Sequence, residues 1–311
     1  MKHLFIVNPA AGKKNRSSVI ADAVARLGLG GSEIYVTACP KDAVREVSDR
    51  LKKANDFIRI YACGGDGTLN EVITGVYLSG YRRCAVASVP TGSGNDFIKM
   101  FDGFSASDFR DLAALTAGEY RPIDLMLVTD TGTGTVYPCV NLVSAGFDAA
   151  VADGMGKYRR VFGGNTAYNL SLIECLVSQT KNRYTLECDG EELFPSERDF
   201  LFALGGNGQY YGGGYKAAPK ALPDDGLIDF VCVDTVSRLK FISLVGKYRR
   251  GEHIDTMRDI VTFRRCRSFR ICAGKRIPVN VDGEIILMTD PEITVLPGAI
   301  NIILPKKTQD A

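Results

Sequence analysis

The chain has 311 residues, 45% hydrophobic and 24% charged, with 38 basic against 36 acidic residues for a net charge of +2. That length suits two domains with a core each; the balanced charge gives nucleic-acid binding no support, and no run approaches the ~18 apolar residues that cross a bilayer. Nine cysteines, never spaced Cys-x-x-Cys, and only two histidines, His3 and His253, argue against a disulfide framework, a zinc site and a histidine-based triad, and fit reduced, mostly buried thiols in a cytosol.

The N-terminal apolar run Leu4–Val7 ends at Asn8-Pro9, too short for a signal peptide, and reads as a first strand. Ser17–Leu27 and Lys41–Ala54 then predict helices, Ser32–Thr37 and Ile58–Cys63 strands, and Leu69–Leu78 a third helix. This alternation predicts an α/β domain with a largely parallel sheet over residues 1–125, to which a tail of about 298–311 returns with the strand Ile300–Leu304. Ligands of such sheets sit beyond the carboxyl ends of the strands, here in the loops Asn8–Lys13, Gly64–Thr68 and Pro90–Asp96. Past Asp124 the texture becomes short β-rich runs: Leu125–Val128, Thr135–Val143, Tyr184–Cys188, Phe200–Leu204, Leu227–Val233, Val261–Phe263, Ser268–Ala273, Ile277–Val281 and Glu292–Leu296. With helices at Asn165–Gln179 and Ser237–Arg250, they predict an antiparallel β-sandwich-like domain over residues 126–297. His253, in Gly251-Glu252-His253, reads as a surface turn residue.

Gly64-Gly65-Asp66-Gly67-Thr68 places a glycine-rich turn with one carboxylate between a strand and a helix. Glycines admit close backbone approach, a helix start offers free N–H groups, and Asp66 can hold Mg²⁺ through water, which together suit a polyphosphate. A tight turn ending a buried strand would use the same glycines. Thr91-Gly92-Ser93-Gly94-Asn95-Asp96 repeats the design about one βα unit later, so that two loops can clamp one triphosphate. Neither is a Walker A loop, and no Gly-x-Gly-x-x-Gly follows the first strand.

These loops stand in order with Asn8-Pro9 through Lys13, Asp124, Asn141 through Asp148, Gly212-Gly213-Gly214 through Pro219, Asp224-Asp225-Gly226-Leu227 and Val281-Asp282-Gly283-Glu284. The series resembles the diacylglycerol kinase catalytic-domain family, bacterial soluble lipid kinases similar to sphingosine kinases, over nearly the whole chain. The resemblance implies a Mg²⁺-dependent transfer of the γ-phosphoryl group of ATP to a lipid hydroxyl, that of diacylglycerol giving phosphatidic acid. Another lipid, such as phosphatidylglycerol or a sphingoid base, or an NAD-kinase-like small-molecule acceptor, stays open. A non-catalytic lipid or nucleotide sensor would be expected to lack the carboxylates at Asp66 and Glu284.

The same resemblance implies nucleotide contacts from Asn8, Pro9, Lys13, Thr37, Gly64, Gly65, Gly67, Thr68, Thr91, Gly92, Ser93, Gly94 and Asn95. It implies a water-linked network of Asp66, Asp96 and Asp124 around a catalytic Mg²⁺, and a structural Mg²⁺ on Asp225 and the carbonyls near Leu222 and Leu227. Turn, helix-cap and strand-end roles compete for the three aspartates, and Asp-Asp-Gly is also a good turn. Glu284 is the candidate general base and Asp66 its rival; Glu284 follows a strand and glycine turn and is expected in a cleft between the domains, where loss of water favours proton abstraction. Such a kinase is expected to be cytoplasmic and to meet its lipid peripherally at the membrane surface, with basic groups at Lys157–Arg160, Lys247–Arg250 and Arg264–Arg270 facing anionic headgroups. A homodimer is left open.

Overall fold

The computed structural model describes residues 2–12, 15–92, 94–146 and 182–307. Lys13, Ser93, the predicted helix Asn165–Gln179 and the basic group Lys157–Arg160 lie outside them. The chain divides into two compact units, Met1–Asp124 with Gly298–Ala311, and Leu125–Pro297.

The first unit alternates β1 (Lys2–Val7), α1 (Ser17–Leu27), β2 (Ser32–Val36), α2 (Asp42–Lys52), β3 (Ile58–Gly64), α3 (Asp66–Ser79), β4 (Cys84–Pro90), α4 (Leu112–Thr116) and β5 (Glu119–Asp130). Its strands run in the order β2-β1-β3-β4, all parallel, and the last strand of the chain extends the sheet by pairing Ile302 with Val86 in parallel. Both β3 and β4 are buried along their whole length, as central parallel strands covered on both faces must be. Helix α2 turns Ala43, Val47 and Leu51, each four residues apart, into the core. Helix α3 starts three residues before the predicted Leu69. Gly65 stays extended (φ −100, ψ −169) as its cap, and the Asp66 carboxylate in the first turn complements the positive end of the helix dipole.

The second unit is antiparallel. After β6 (Thr135–Cys139) come β7 (Leu142–Gly146), β8 (Asn182–Cys188), β9 (Glu191–Glu192), β10 (Arg198–Gly206), β11 (Tyr210–Tyr211), β12 (Tyr215–Lys216) and β13 (Ile228–Asp234). Helices α5 (Arg238–Arg250) and α6 (His253–Thr256) follow, then β14 (Val261–Cys266), β15 (Ser268–Cys272), β16 (Arg276–Val281), β17 (Glu284–Thr289) and β18 (Glu292–Leu304). One layer runs β17-β16-β7-β10-β13-β14 and the other β6-β5-β18-β15-β8-β9. Val143, Ala145, Ala203, Phe230 and Val279 of the first meet Met126, Leu186, Phe269 and Ile271 of the second in a sandwich core. On its other face the first layer packs Leu142, Leu204 and Val231 against Phe241, Leu244 and Tyr248 of α5.

Three sequence expectations are corrected here. Thr135–Val143 is two strands, because the amides of Val140, Asn141 and Leu142 turn away from a ladder to the Asp282 carboxylate. Glu292–Leu296 and Ile300–Leu304 are one strand, carried past Pro297 by Gly298 at φ +59, whose N–H goes to Asp124 Oδ1 at 2.8 Å. His253 is no surface residue: it is fully buried, with Nε2 3.1 Å from the Ala217 carbonyl and its ring edge-on to Tyr248.

Burial lowers the His253 pKa to about 4, so the native state resists the proton that the unfolded chain accepts near 6.5. The stability this neutral ring retains above pH 6.5 is therefore lost as the pH falls toward 4, by about 3 kcal/mol in all. Urea unfolding of wild type against His253→Gln over that range should show wild type losing that amount relative to the variant. Parallel pH curves would overturn it.

Candidate functional site

Four loops meet at the carboxyl ends of the parallel strands of the first unit. Asn8 follows β1, and its amide N–H takes the Cys63 carbonyl at 3.0 Å while its side-chain Nδ2 donates to Thr68 Oγ1 at 3.0 Å, so the first loop is tied to the first turn of α3. Thr37 follows β2, buried, with its N–H on the Val7 carbonyl at 2.9 Å. The Gly64 carbonyl accepts from the amides of Thr91 (2.8 Å) and Gly92 (3.2 Å), joining the loop after β3 to the loop after β4.

The glycines are what allow this. Gly12 sits at φ +80, and a Cβ there would come 2.3 Å from the Thr91 carbonyl oxygen; a Cβ on Gly92 would come 2.6 Å from the Gly65 Cα. Three loops thus touch backbone to backbone, where no side chain can intervene. Gly92→Ala should then cost about 1–3 kcal/mol of stability and, by pushing the two loops apart, weaken ATP binding by roughly tenfold. Denaturant unfolding beside an ATP titration measures both, and wild-type affinity in a folded Gly92→Ala protein would remove these loops from the nucleotide site.

Asp66 bridges the same two loops: Oδ2 accepts the Asp96 N–H at 3.0 Å and Oδ1 that of Phe97 at 3.2 Å. Asp96 is buried and pairs with Lys99 rather than capping the 3-10 turn Phe97–Met100 that it precedes. A Cβ on Gly94 would lie 3.1 Å from Asp66 Oδ2 and 3.9 Å from Asp96 Oδ2, so both carboxylates flank this glycine. Asn95, at φ +51, returns its Nδ2 to the Gly92 carbonyl at 2.8 Å. Asp124 is buried within β5, where its Oδ1 accepts the Gly298 N–H at 2.8 Å. Among the described residues no three His, Cys, Asp or Glu side chains converge as a direct ligand cage. Asp66 and Asp96 nonetheless present the hard oxygen donors that Mg²⁺ takes one or two at a time while keeping its waters, so these residues fit that ion.

In the second unit, Glu284 opens β17 immediately after a two-residue hairpin loop, Asp282 (φ +49) and Gly283 (φ +98). It is exposed, so the loss of water expected around it is not supplied by the described residues. Asp282, quoted in the motif but given no role by sequence reasoning, is half-buried and surrounded by donors: Oδ1 accepts from Asn141 N (2.9 Å), Leu142 N (3.0 Å) and Cys139 Sγ (3.1 Å), and Oδ2 from Val140 N at 2.7 Å. The Asp-Gly pair signals a hairpin in the sequence; nothing local signals those partners.

Asp225 is also already engaged. Its Oδ1 takes the Leu227 amide at 3.0 Å and its Oδ2 the Arg265 guanidinium, which reaches Asp229 Oδ1 at 3.1 Å as well. Burial pushes the Asp229 carboxyl up to about 7, and the positive charge of Lys220 opposes that push. A structural Mg²⁺ at Asp225 would compete for that carboxylate with Arg265, which the sequence reading placed only in the basic group Arg264–Arg270.

Residues 2–128 match the family model "Diacylglycerol kinase catalytic domain" and residues 141–304 match "YegS C-terminal NAD kinase beta sandwich-like domain". A "Diacylglycerol kinase" of Bacillus subtilis (strain 168) is 28% identical over 97% of this chain and 96% of its own. A "Probable lipid kinase YegS-like" of Pseudomonas aeruginosa (strain UCBPP-PA14) is 31% identical over 94% of this chain and 92% of its own. The crystal structure of a diacylglycerol kinase from Bacillus anthracis str. Sterne covers 97% of this chain and 96% of that one with a TM-score of 0.71 at 21% identity, and shows the shared fold.

Proposed function

The chain belongs to the diacylglycerol kinase family of lipid kinases, a phosphotransferase, and from that premise we propose that it moves the γ-phosphoryl group of ATP to the hydroxyl of diacylglycerol, giving phosphatidic acid. The observation that supports ATP at the first unit is the backbone contact of Gly12 with Thr91 and of Gly65 with Gly92, which leaves N–H groups and a helix start available to phosphates. Asn8, Pro9, Thr37, Gly64, Gly65, Gly67, Thr68, Thr91, Gly92, Gly94 and Asn95 supply that cradle in this reading. Mg²⁺ would be held by Asp66 and Asp96 through water and would supply positive charge to offset that developing on the phosphate during transfer. Asp66 holds the two loops in register through the Asp96 and Phe97 amides. Glu284 takes the proton from the acceptor hydroxyl, and the water around this exposed carboxylate is excluded by the lipid itself.

No helix among the described residues is long and apolar enough to cross a membrane, so the lipid is taken from the membrane surface by peripheral contact in this proposal. Helix α5 carries Arg238, Lys240, Lys247, Arg249 and Arg250 with no acidic residue, and presents Leu239 at 83% exposure. Each such base near an anionic surface contributes about 1 kcal/mol.

The test is transfer of label from γ-labelled ATP to diacylglycerol, phosphatidylglycerol and sphingosine in vesicles, and to NAD in solution. Diacylglycerol should be phosphorylated fastest, and faster in anionic than in neutral vesicles. Preference for another lipid would correct the head group; label in NAD alone would replace the lipid reading.

A further inference from the structure

We propose that Asp282 is a positioning residue of the reaction: its carboxylate fixes the tip of the β16–β17 hairpin and thereby the place of Glu284. The inference rests on the reading of Glu284 as the proton acceptor.

A two-residue Asp-Gly loop closes a hairpin by its own backbone geometry, with both residues at positive φ. Four donors on one carboxylate therefore exceed what the turn requires. Three of them are consecutive backbone amides, Val140, Asn141 and Leu142, so the carboxylate fills a nest of N–H groups between β6 and β7. The Asp282 N–H returns to the Leu142 carbonyl at 3.0 Å, and Asn280 Oδ1 accepts the Gly283 N–H at 2.8 Å. Glu284 lies opposite Val281 in the hairpin register, and Val281 opposite Val143 in the next pair. Its backbone is thus set by the very segment that Asp282 grips.

That segment is itself held. The Asn141 carbonyl accepts from the amides of Asn207 and Gly208, each at 2.9 Å; Asn141 Nδ2 donates to the Tyr210 carbonyl at 2.8 Å, and Asn207 Nδ2 to that of Val140 at 2.9 Å. The chain of bonds runs from the residues just after β10 through residues 139–142 to Asp282, and it ends two residues from Glu284. The hairpin tip, by contrast, is exposed at Gly283 and Glu284. An exposed tip keeps one direction only if something polar anchors its root, and a base must be placed within a fraction of an ångström to act.

Asp282→Asn keeps the side-chain shape but turns one acceptor oxygen into an NH₂ that faces an amide N–H. The effect of the misplaced tip should be a fall in kcat of roughly 10–100-fold, with the KM for ATP unchanged within about twofold because the nucleotide loops belong to the other unit. A double-mutant comparison separates positioning from mere loosening. Asp282→Asn, Glu284→Gln and the double variant are assayed in the full chain by lipid phosphorylation, with folding followed by circular dichroism. If Asp282 acts through Glu284, adding Asp282→Asn to Glu284→Gln costs less than about threefold.

A full multiplicative loss in the double variant, or a kcat for Asp282→Asn within about threefold of wild type, overturns the proposal while leaving Glu284 as the base. Near wild-type turnover of Glu284→Gln overturns the base assignment, and the positioning role with it. Should Asp282→Asn fail to fold, Asn280→Ala releases only the Gly283 amide and is read in the same way: a smaller kcat loss that vanishes in the Glu284→Gln background supports the proposal, and one that persists there overturns it.

Discussion

Replacing Asp66 with Asn is expected to lower lipid phosphorylation by roughly 10²–10³-fold, a rise of about 3–4 kcal/mol in the barrier. Asp66 is the one charge in Gly64–Thr68, and phosphoryl transfer is catalysed largely by positioning and by neutralising charge on the phosphate oxygens. The variant also alters a joint. Of the two oxygens that accept the Asp96 and Phe97 amides, one becomes an NH₂ facing an N–H, at a cost of about 1–3 kcal/mol in stability. Stability and turnover must be measured together for that reason. Turnover at saturating ATP and Mg²⁺ separates the two roles: a folded Asp66→Asn protein that keeps more than about a tenth of wild-type kcat would leave Asp66 as a bridge between loops and nothing more.

With Glu284 as the proposed proton acceptor, Glu284→Gln should cost about 10²–10⁴-fold in kcat, roughly 3–5 kcal/mol. Affinity for ATP should hardly change, since in the proposed mechanism the base touches the acceptor and not the nucleotide. Stability should not change either, because Glu284 is exposed and opens a strand rather than filling a core. This contrast with Asp66→Asn, which lowers both stability and turnover, identifies the two carboxylates by different signatures. A loss of less than about tenfold with ATP binding intact would pass the role to Asp66 or to no base at all.

Much of this could be read before any coordinates. Helix α1 falls on Ser17–Leu27 as its periodicity predicts, and β1, α2 and β3 lie within a few residues of their predicted limits, because a strand buried on both faces or a helix with one apolar face writes its period into neighbouring residues. The glycine loops were legible for the same reason: only glycine lets two backbones touch, and Gly12, Gly65 and Gly92 stand in the loops that follow β1, β3 and β4. The Asp-Gly pair before Glu284 likewise announces its hairpin.

Tertiary structure alone decided what the carboxylates hold. Asp66 accepts from amides 30 and 31 residues away, Asp282 from amides more than 139 residues away, and Asp225 pairs with an arginine 40 residues on. It also decided that His253 is a core residue, because Ala217 and Tyr248 close over a ring that its neighbours in sequence would leave in solvent. The physical reason is range. Periodicity and turn chemistry act between residues a few positions apart and are written there, whereas a charged or polar side chain takes whichever partner the packing of distant strands brings within hydrogen-bond distance. The sequence by itself determined the alternating helices and strands of the first unit and where the glycine loops and carboxylates fall along the chain; the folded sheets decided which of those carboxylates grip backbone, which pairs with a guanidinium, and which, as Glu284 does, stays open to solvent.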